Sequence, residues 1–202
     1  LIHKPDAPQS LILAGHIAPP QGVENNIAID TMNNALGGQF TARVNMNLRE
    51  DKGWAYGAYT FLWDARGQRP WMAYAPVQTD RTVDSINELT REFGDFLGDR
   101  PATQDELDRN VKNSVRSLPG QYETANAVLN TLLENNRFGR PDDYAMNLKG
   151  KYESLTTDKL HEAATEVMKP DKLTWLIVGD LDKIEKPIRD LGLGEVVVIE
   201  AQ

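Results

Sequence analysis

Apolar and polar residues follow readable periods along nearly all of this chain, and changes of period mark its elements. Residues 10–19, SLILAGHIAP, are apolar and partly β-branched and end at Pro19-Pro20, which predicts a strand. Residues 23–36 place Ile27, Met32, Ala35 and Leu36 at helical spacing and stop at Gly37-Gly38. A shorter helix is predicted over 41–49. Residues 56–63, YGAYTFLW, alternate and are rich in aromatics; 65–69 read as a turn, and 70–77, PWMAYAPV, as the returning strand of a hairpin. On this reading Pro70 and Pro76 confine that strand's ladder to its middle. By alternation Tyr56, Ala58, Thr60 and Leu62 share one face, and Tyr59, Phe61 and Trp63 the other. The bulkier second set is expected to pack under helices.

The next stretch is helical. Residues 82–97 carry Val83, Ile86, Leu89, Phe93, Phe96 and Leu97 on one stripe. Residues 102–120 open with Thr103 and Glu106, the spacing of a capping box, and close at Pro119-Gly120. Helices are predicted at 125–135, 142–152 and 157–168, a buried strand at 172–180, a short helix at 182–191 and a final strand at 195–200. The hairpin makes part of the sheet antiparallel, and the helices are segregated in sequence. The expected class is therefore α+β, a mostly antiparallel sheet with helices packed on one face. No linker-like run or repeat divides the chain, so one domain over 1–202 is the simplest organisation.

Composition narrows the function. Hydrophobic residues are 40% of the chain, enough for a core. Net charge is −8, from 22 basic and 30 acidic residues, with no basic run, which argues against a nucleic-acid partner. No apolar stretch approaches the roughly 20 residues of a membrane span. Cysteine is absent, so disulfides, thiolate metal sites and cysteine nucleophiles are excluded. The opening LIHKPDAPQS lacks an initiator Met and reads as a piece cut from something longer.

Catalytic chemistry is scarce. His3 lies in a ragged start, and His16 in or beside a strand with no partner spaced for a metal. HEAAT at His161 begins like the H-E-x-x-H zinc helix, but the second ligand position holds Thr165. H-x-x-E-H is absent too. Gly37-Gly38 is no phosphate loop, since no Lys-Ser/Thr follows; the glycines read as closing a helix. Read residue by residue, Arg49 is a helix C-terminal cation and Tyr56 a strand aromatic.

The stretch LGGQFTARVNMNLREDKGWAYGAYTF, residues 36–61, changes that reading. It resembles the C-terminal, non-zinc half-domain of the insulinase/pitrilysin family of zinc peptidases, whose pattern runs L-G-G-x-F-x-S-R-L and then L-R-E-x-x-G-x-A-Y. Leu36, Gly37, Gly38, Phe40 and Arg43 match, then Leu48, Arg49, Glu50, Gly53, Ala55 and Tyr56. Ala42, Val44 and Trp54 depart from it. The helix at 102–115 and the segment 154–180 also look like their counterparts, so the resemblance covers nearly the whole chain.

The resemblance implies a half-domain inactive by itself that binds no cofactor. Zinc would be held by H-x-x-E-H in a partner half, fused upstream or separate, which closes over this one like a clamshell. Arg49 and Tyr56 would then hydrogen-bond the peptide substrate beside the metal, with Gly53 turning the chain between them at positive φ. Bacterial members are often exported, which points to the periplasm before the cytoplasm. Two other classes stand beside this one: a non-enzymatic scaffold or assembly subunit of the same family, and an isolated binding module, which would need an exposed apolar sheet face.

Overall fold

The computed structural model describes residues 1–21 and 24–200. The elements are β1 (Ile2–His3), β2 (Gln9–Ala18), α1 (Asn26–Asn33), a wide π turn (Asn34–Gly38), α2 (Arg43–Asn45) and a second π turn (Met46–Asp51). Then come β3 (Tyr59–Leu62), β4 (Arg69–Gln78), α3 (Thr82–Leu97), α4 (Gln104–Ser117), α5 (Ala125–Phe138), α6 (Tyr144–Glu153), α7 (Thr157–Val167), β5 (Thr174–Gly179) and α8 (Leu181–Asp190). The sheet order is β1-β5-β2-β4-β3, antiparallel except for the β1/β5 pair. This is the expected α+β class.

Period two along β4 decides which face is buried. Arg69, Trp71, Ala73, Ala75 and Val77 turn inward beneath the helices, while the even positions face out. Trp71 meets Phe93 of α3 edge-on at 5.1 Å, and Leu160, Ala163 and Ala164 of α7 join the same core. The outward face is also apolar. Register aligns Val178, Leu11 and Pro76 in one row, and Leu176, Leu13, Tyr74 and Tyr59 in the next. Tyr74 and Tyr59 are 37% and 36% exposed, so this face has no covering layer among the described residues.

Four expectations are corrected. Pro70 and Pro76 do not shorten the β4 ladder, which pairs with β2 from Arg69 to Gln78. Even β4 positions aim their backbone away from β2: the Pro70 carbonyl accepts from Trp63 N–H, and Gln78 N–H donates to Trp54. The missing proline N–H groups therefore fall on the side β3 only partly covers. His3 is no ragged end, since it pairs in β1 and its Nδ1 accepts from Leu181 N–H. Residues 195–200 form no strand; Ile199 makes a single bridge to Ile2, because β1 is only two residues long. The predicted start of the first helix, Val23, lies outside the described residues.

The fourth correction concerns the strand after Gly53. Ala55 stands opposite Val77 and Tyr59 opposite Tyr74, four steps against three. That extra residue is a bulge, and a one-residue slip exchanges the faces. Ala58 and Thr60 are buried against the helices, while Tyr59 and Trp63 face out, so the two sets alternate as expected but the smaller set, not the bulkier one, packs under the helices. Tyr56 lies in the bulged segment before β3, not within it.

The capping box is present: Thr103 Oγ1 accepts from Glu106 N–H and Glu106 Oε2 from Thr103 N–H. Arg43 completes it, donating to both Glu106 carboxylate oxygens at 2.6 Å and to the carbonyls of Arg100 and Pro101. Burial pushes the Glu106 carboxyl up, but the hydrogen bonds from Arg43 and Thr103 outweigh it and hold the group below the usual carboxylate range. A lowered folded-state pKa stabilises the fold above the unfolded carboxylate range, and that gain is lost as pH falls through the folded value. Arg43→Met is expected to cost about 2 kcal/mol at neutral pH. In urea unfolding the gap from wild type should narrow on acidification; a pH-independent gap would assign the loss to packing instead.

Candidate functional site

Arg49 and Tyr56 are held by a frame of buried amides. The second π turn closes with Lys52 N–H on Asn47 O and Gly53 N–H on Arg49 O. Gly53 then takes φ +66°, the left-handed turn foreseen for it, and no neighbour crowds the site of a Cβ. Asn45 is fully buried and ties both flanks together: its Nδ2 donates to Phe40 O at 2.7 Å, and its Oδ1 accepts from Ala58 N–H at 3.1 Å.

This frame brings the rings of Phe40 and Tyr56 to Arg49. The Arg49 guanidinium lies 4.6 Å from the Phe40 ring centre and 5.2 Å from that of Tyr56. Its carboxylate contact is the adjacent Glu50, at 3.1 Å from Nε. Tyr56 is 82% exposed and Phe40 50%, so the group stands on open surface. Two exposed rings fix the orientation of a fork-shaped donor whose N–H groups are largely unspent, an arrangement suited to a carbonyl or carboxylate. Phe40 has a place in the matched sequence pattern, two residues after Gly38, but no role of its own there. Asn45 gave no signal, because a polar residue in a short helix reads as surface.

Gly37 and Gly38 do not act as left-handed helix closers; positive φ among the described glycines is confined to Gly53, Gly139, Gly192 and Gly194. They lie inside the first π turn, and their need is for space. A Cβ on Gly37 would meet the Thr60 backbone N at 2.6 Å, and one on Gly38 the Asn34 Oδ1 at 2.5 Å. The close approach lets Asn33 reach β3 and β4: Asn33 Nδ2 donates to Thr60 O, and its Oδ1 accepts from Thr60 Oγ1 and Trp71 Nε1.

The histidines do not fit zinc. His16 stacks on Trp71 at 5.1 Å and accepts from Lys169 N–H, and burial lowers its pKa. On α7, Thr165 Oγ1 donates to the His161 carbonyl. His3 lies near Asp180 and Asp182, but His3 Nδ1 is taken by Leu181 N–H and Asp180 by Lys183 at 2.7 Å.

A second polar group lies under α1. Arg69 is 1% exposed; it donates to Pro19 O at 3.0 Å and to Asn26 Oδ1 at 2.8 Å, with Asp64 at 3.6 Å. Asn26 Nδ2 in turn donates to Asp30 at 2.8 Å. Burial raises the Asp30 carboxyl to about 6, with Asp64 adding to the rise and Arg69, Arg140 and Asn26 opposing it. A raised carboxyl favours the fold in its neutral form, so stability should fall as pH climbs from about 4 to about 6 and then level off. The fall is at most about 3 kcal/mol. Asp30→Asn is expected to remove it and to unfold at higher urea than wild type at pH 8. An unchanged pH slope would mean the carboxyl is well solvated.

The family described as the peptidase M16 inactive domain matches residues 1–114. An uncharacterized zinc protease of Mycobacterium leprae is 28% identical over 96 residues, covering 48% of this chain and 22% of that protein. Among solved structures, the peptidase M16 inactive domain from Pseudomonas fluorescens gives a TM-score of 0.79 at 22% identity, over 88% of this chain and 42% of that one. A protease from Helicobacter pylori gives 0.77 at 16%, over 89% and 43%. At these identities the structural likeness is one of fold, and the chain spans less than half the length of each of these relatives.

Proposed function

The chain belongs to the peptidase M16 family, as its inactive domain, and on that premise we propose that it is the substrate-contacting, non-catalytic half of a zinc metallopeptidase. The zinc-bearing half is its partner, fused or separate. Arg49 and Tyr56 reach across the interface and hydrogen-bond the backbone of an extended peptide. The observation that carries this reading is the Arg49 guanidinium, set beside the exposed rings of Phe40 and Tyr56 with its neighbour Glu50 as its counter-ion among the described residues.

Solvent-facing side chains fixed in this way contribute little to folding and are free to serve a ligand. When the halves close, water leaves and each donor gains strength. Arg49 then presents two parallel N–H groups to one carbonyl, and the Tyr56 phenol donates to a neighbouring oxygen. The apolar outward face of the sheet, with Tyr59 and Tyr74 half-exposed, suits the side chains of such a peptide.

The test is peptide hydrolysis by this chain alone, by the zinc-bearing half alone, and by the two together. Activity confined to the mixture and abolished by a chelator is the expected result. Confirmed association without cleavage of any peptide would instead favour a scaffold role.

A further inference from the structure

A cleft of about 290 Å³ opens between α1, α5 and α6, away from Arg49 and Tyr56. Asp30 lies at its α1 side, and Glu134 and Asn135 of α5 form a wall. Tyr122, Tyr144 and Tyr152 contribute aromatic rings, and Arg140 stands among them. Asn135 is 6% exposed, yet its Oδ1 has no hydrogen-bond partner among the described residues. A buried amide oxygen left in this way asks for a donor. Asp30 has a hydrogen bond from Asn26 and no ion-pair partner within contact distance among the described residues. Glu134 meets Arg137 only at 3.7 Å.

The unspent groups of the cleft are the Asn135 Oδ1 and the two carboxylates, and, of opposite sign, the Arg140 guanidinium, which lies against the Tyr144 ring. Tyr144 already attracts cations, with Arg140 at 4.8 Å and Lys151 at 4.5 Å from its ring centre. An anion would face two carboxylates. A neutral hydroxyl ligand would leave the half-buried Asp30 charge to Arg69 and Arg140, neither of them at ion-pair distance from it. We propose that this cleft binds a small N–H-bearing cation, an alkylammonium or alkylguanidinium group, with Asp30 as its counter-ion and the Asn135 Oδ1 as its second acceptor. The volume suits a group the size of a lysine or arginine side chain, whether on a free amine or on a polypeptide.

The test is titration calorimetry with n-butylguanidinium, n-butylammonium and the uncharged shape-mimic N-butylurea, on wild type and Asp30→Asn. That substitution keeps the shape and removes a half-buried charge, so the fold is retained; circular dichroism checks this. Both cations should bind at millimolar concentration or tighter, with N-butylurea at least roughly tenfold weaker. Asp30→Asn should weaken the cations by roughly tenfold or more and leave N-butylurea unchanged. A capped tripeptide with a central arginine separates the sources: tighter binding than butylguanidinium indicates a polypeptide side chain, and weaker binding a free small molecule. Equal binding of N-butylurea, cation binding that survives Asp30→Asn, or no binding of either cation at millimolar concentration would overturn the proposal.

Discussion

Replacing Arg49 with Ala, in a peptidase containing the zinc-bearing half, is expected to lower kcat/KM by roughly 10²–10³-fold, the range typical for loss of a donor aimed at a developing oxyanion. The magnitude rests on exclusion of water when the halves close. In the open chain the guanidinium is partly exposed and its hydrogen bonds compete with solvent. In a closed chamber the same donors act at lower effective dielectric and need no reorganisation, because Phe40 and Tyr56 already hold the plane of the fork. Arg49→Lys should recover little, since an ammonium keeps the charge and loses the paired donors. Tyr56→Phe removes a single neutral donor and keeps the ring against Arg49, so its loss should be nearer tenfold. A purely structural pair would behave differently: activity would follow stability. Tyr56 is exposed and Arg49 partly so, and both substitutions should leave the unfolding free energy within about 0.5–1 kcal/mol of wild type. Full activity in Arg49→Ala, or a midpoint that falls in step with activity, would remove the pair from the substrate site.

The sequence was most legible where one local rule governs each residue. The stripe over 82–97 coincides with α3 because an amphipathic helix on a sheet has one way to bury Ile86, Leu89, Phe93 and Phe96. Thr103 and Glu106 announced the start of α4 because a capping box is local. Legibility failed where geometry depends on a distant partner. The bulge between Ala55 and Tyr59 is set by pairing with β4 and decides which face of β3 is buried, so side-chain bulk pointed to the wrong one. The glycine pair looked like a helix end, yet its reason is Thr60, far along the chain. No local pattern marks Asn33 and Asn45, which are buried connectors. At the site, the family resemblance singled out Arg49, Gly53 and Tyr56 and matched Phe40 as well, but that the Phe40 ring lies against Arg49 emerged only from three-dimensional proximity.

Gly37→Ala sets two opposing effects against each other, and the close approach of the first π turn to β3 decides the sign. Alanine in place of glycine favours helical backbone by about 1 kcal/mol. Gly94 in α3 shows that effect alone, since a Cβ there meets nothing within 4 Å. Gly94→Ala should therefore stabilise the protein by about 0.5–1 kcal/mol. At Gly37 the new methyl would press on the Thr60 backbone N at 2.6 Å and also on the Thr60 side chain. Backbone cannot rotate away, so the turn and β3 must separate, and overpacking of this kind costs about 1–3 kcal/mol. Separation also stretches the bonds from Asn33 to Thr60 and Trp71, all of them buried, and each group left unpaired adds about 1–3 kcal/mol. The net expectation is a loss of about 3 kcal/mol or more in urea unfolding, opposite in sign to Gly94→Ala. Activity should fall as well at full folding, because the turn leads directly into Phe40 and a shift there moves the ring off Arg49. If Gly37→Ala stabilises as Gly94→Ala does, the π turn does not press on β3, and the frame around Arg49 owes its shape to Asn45 alone.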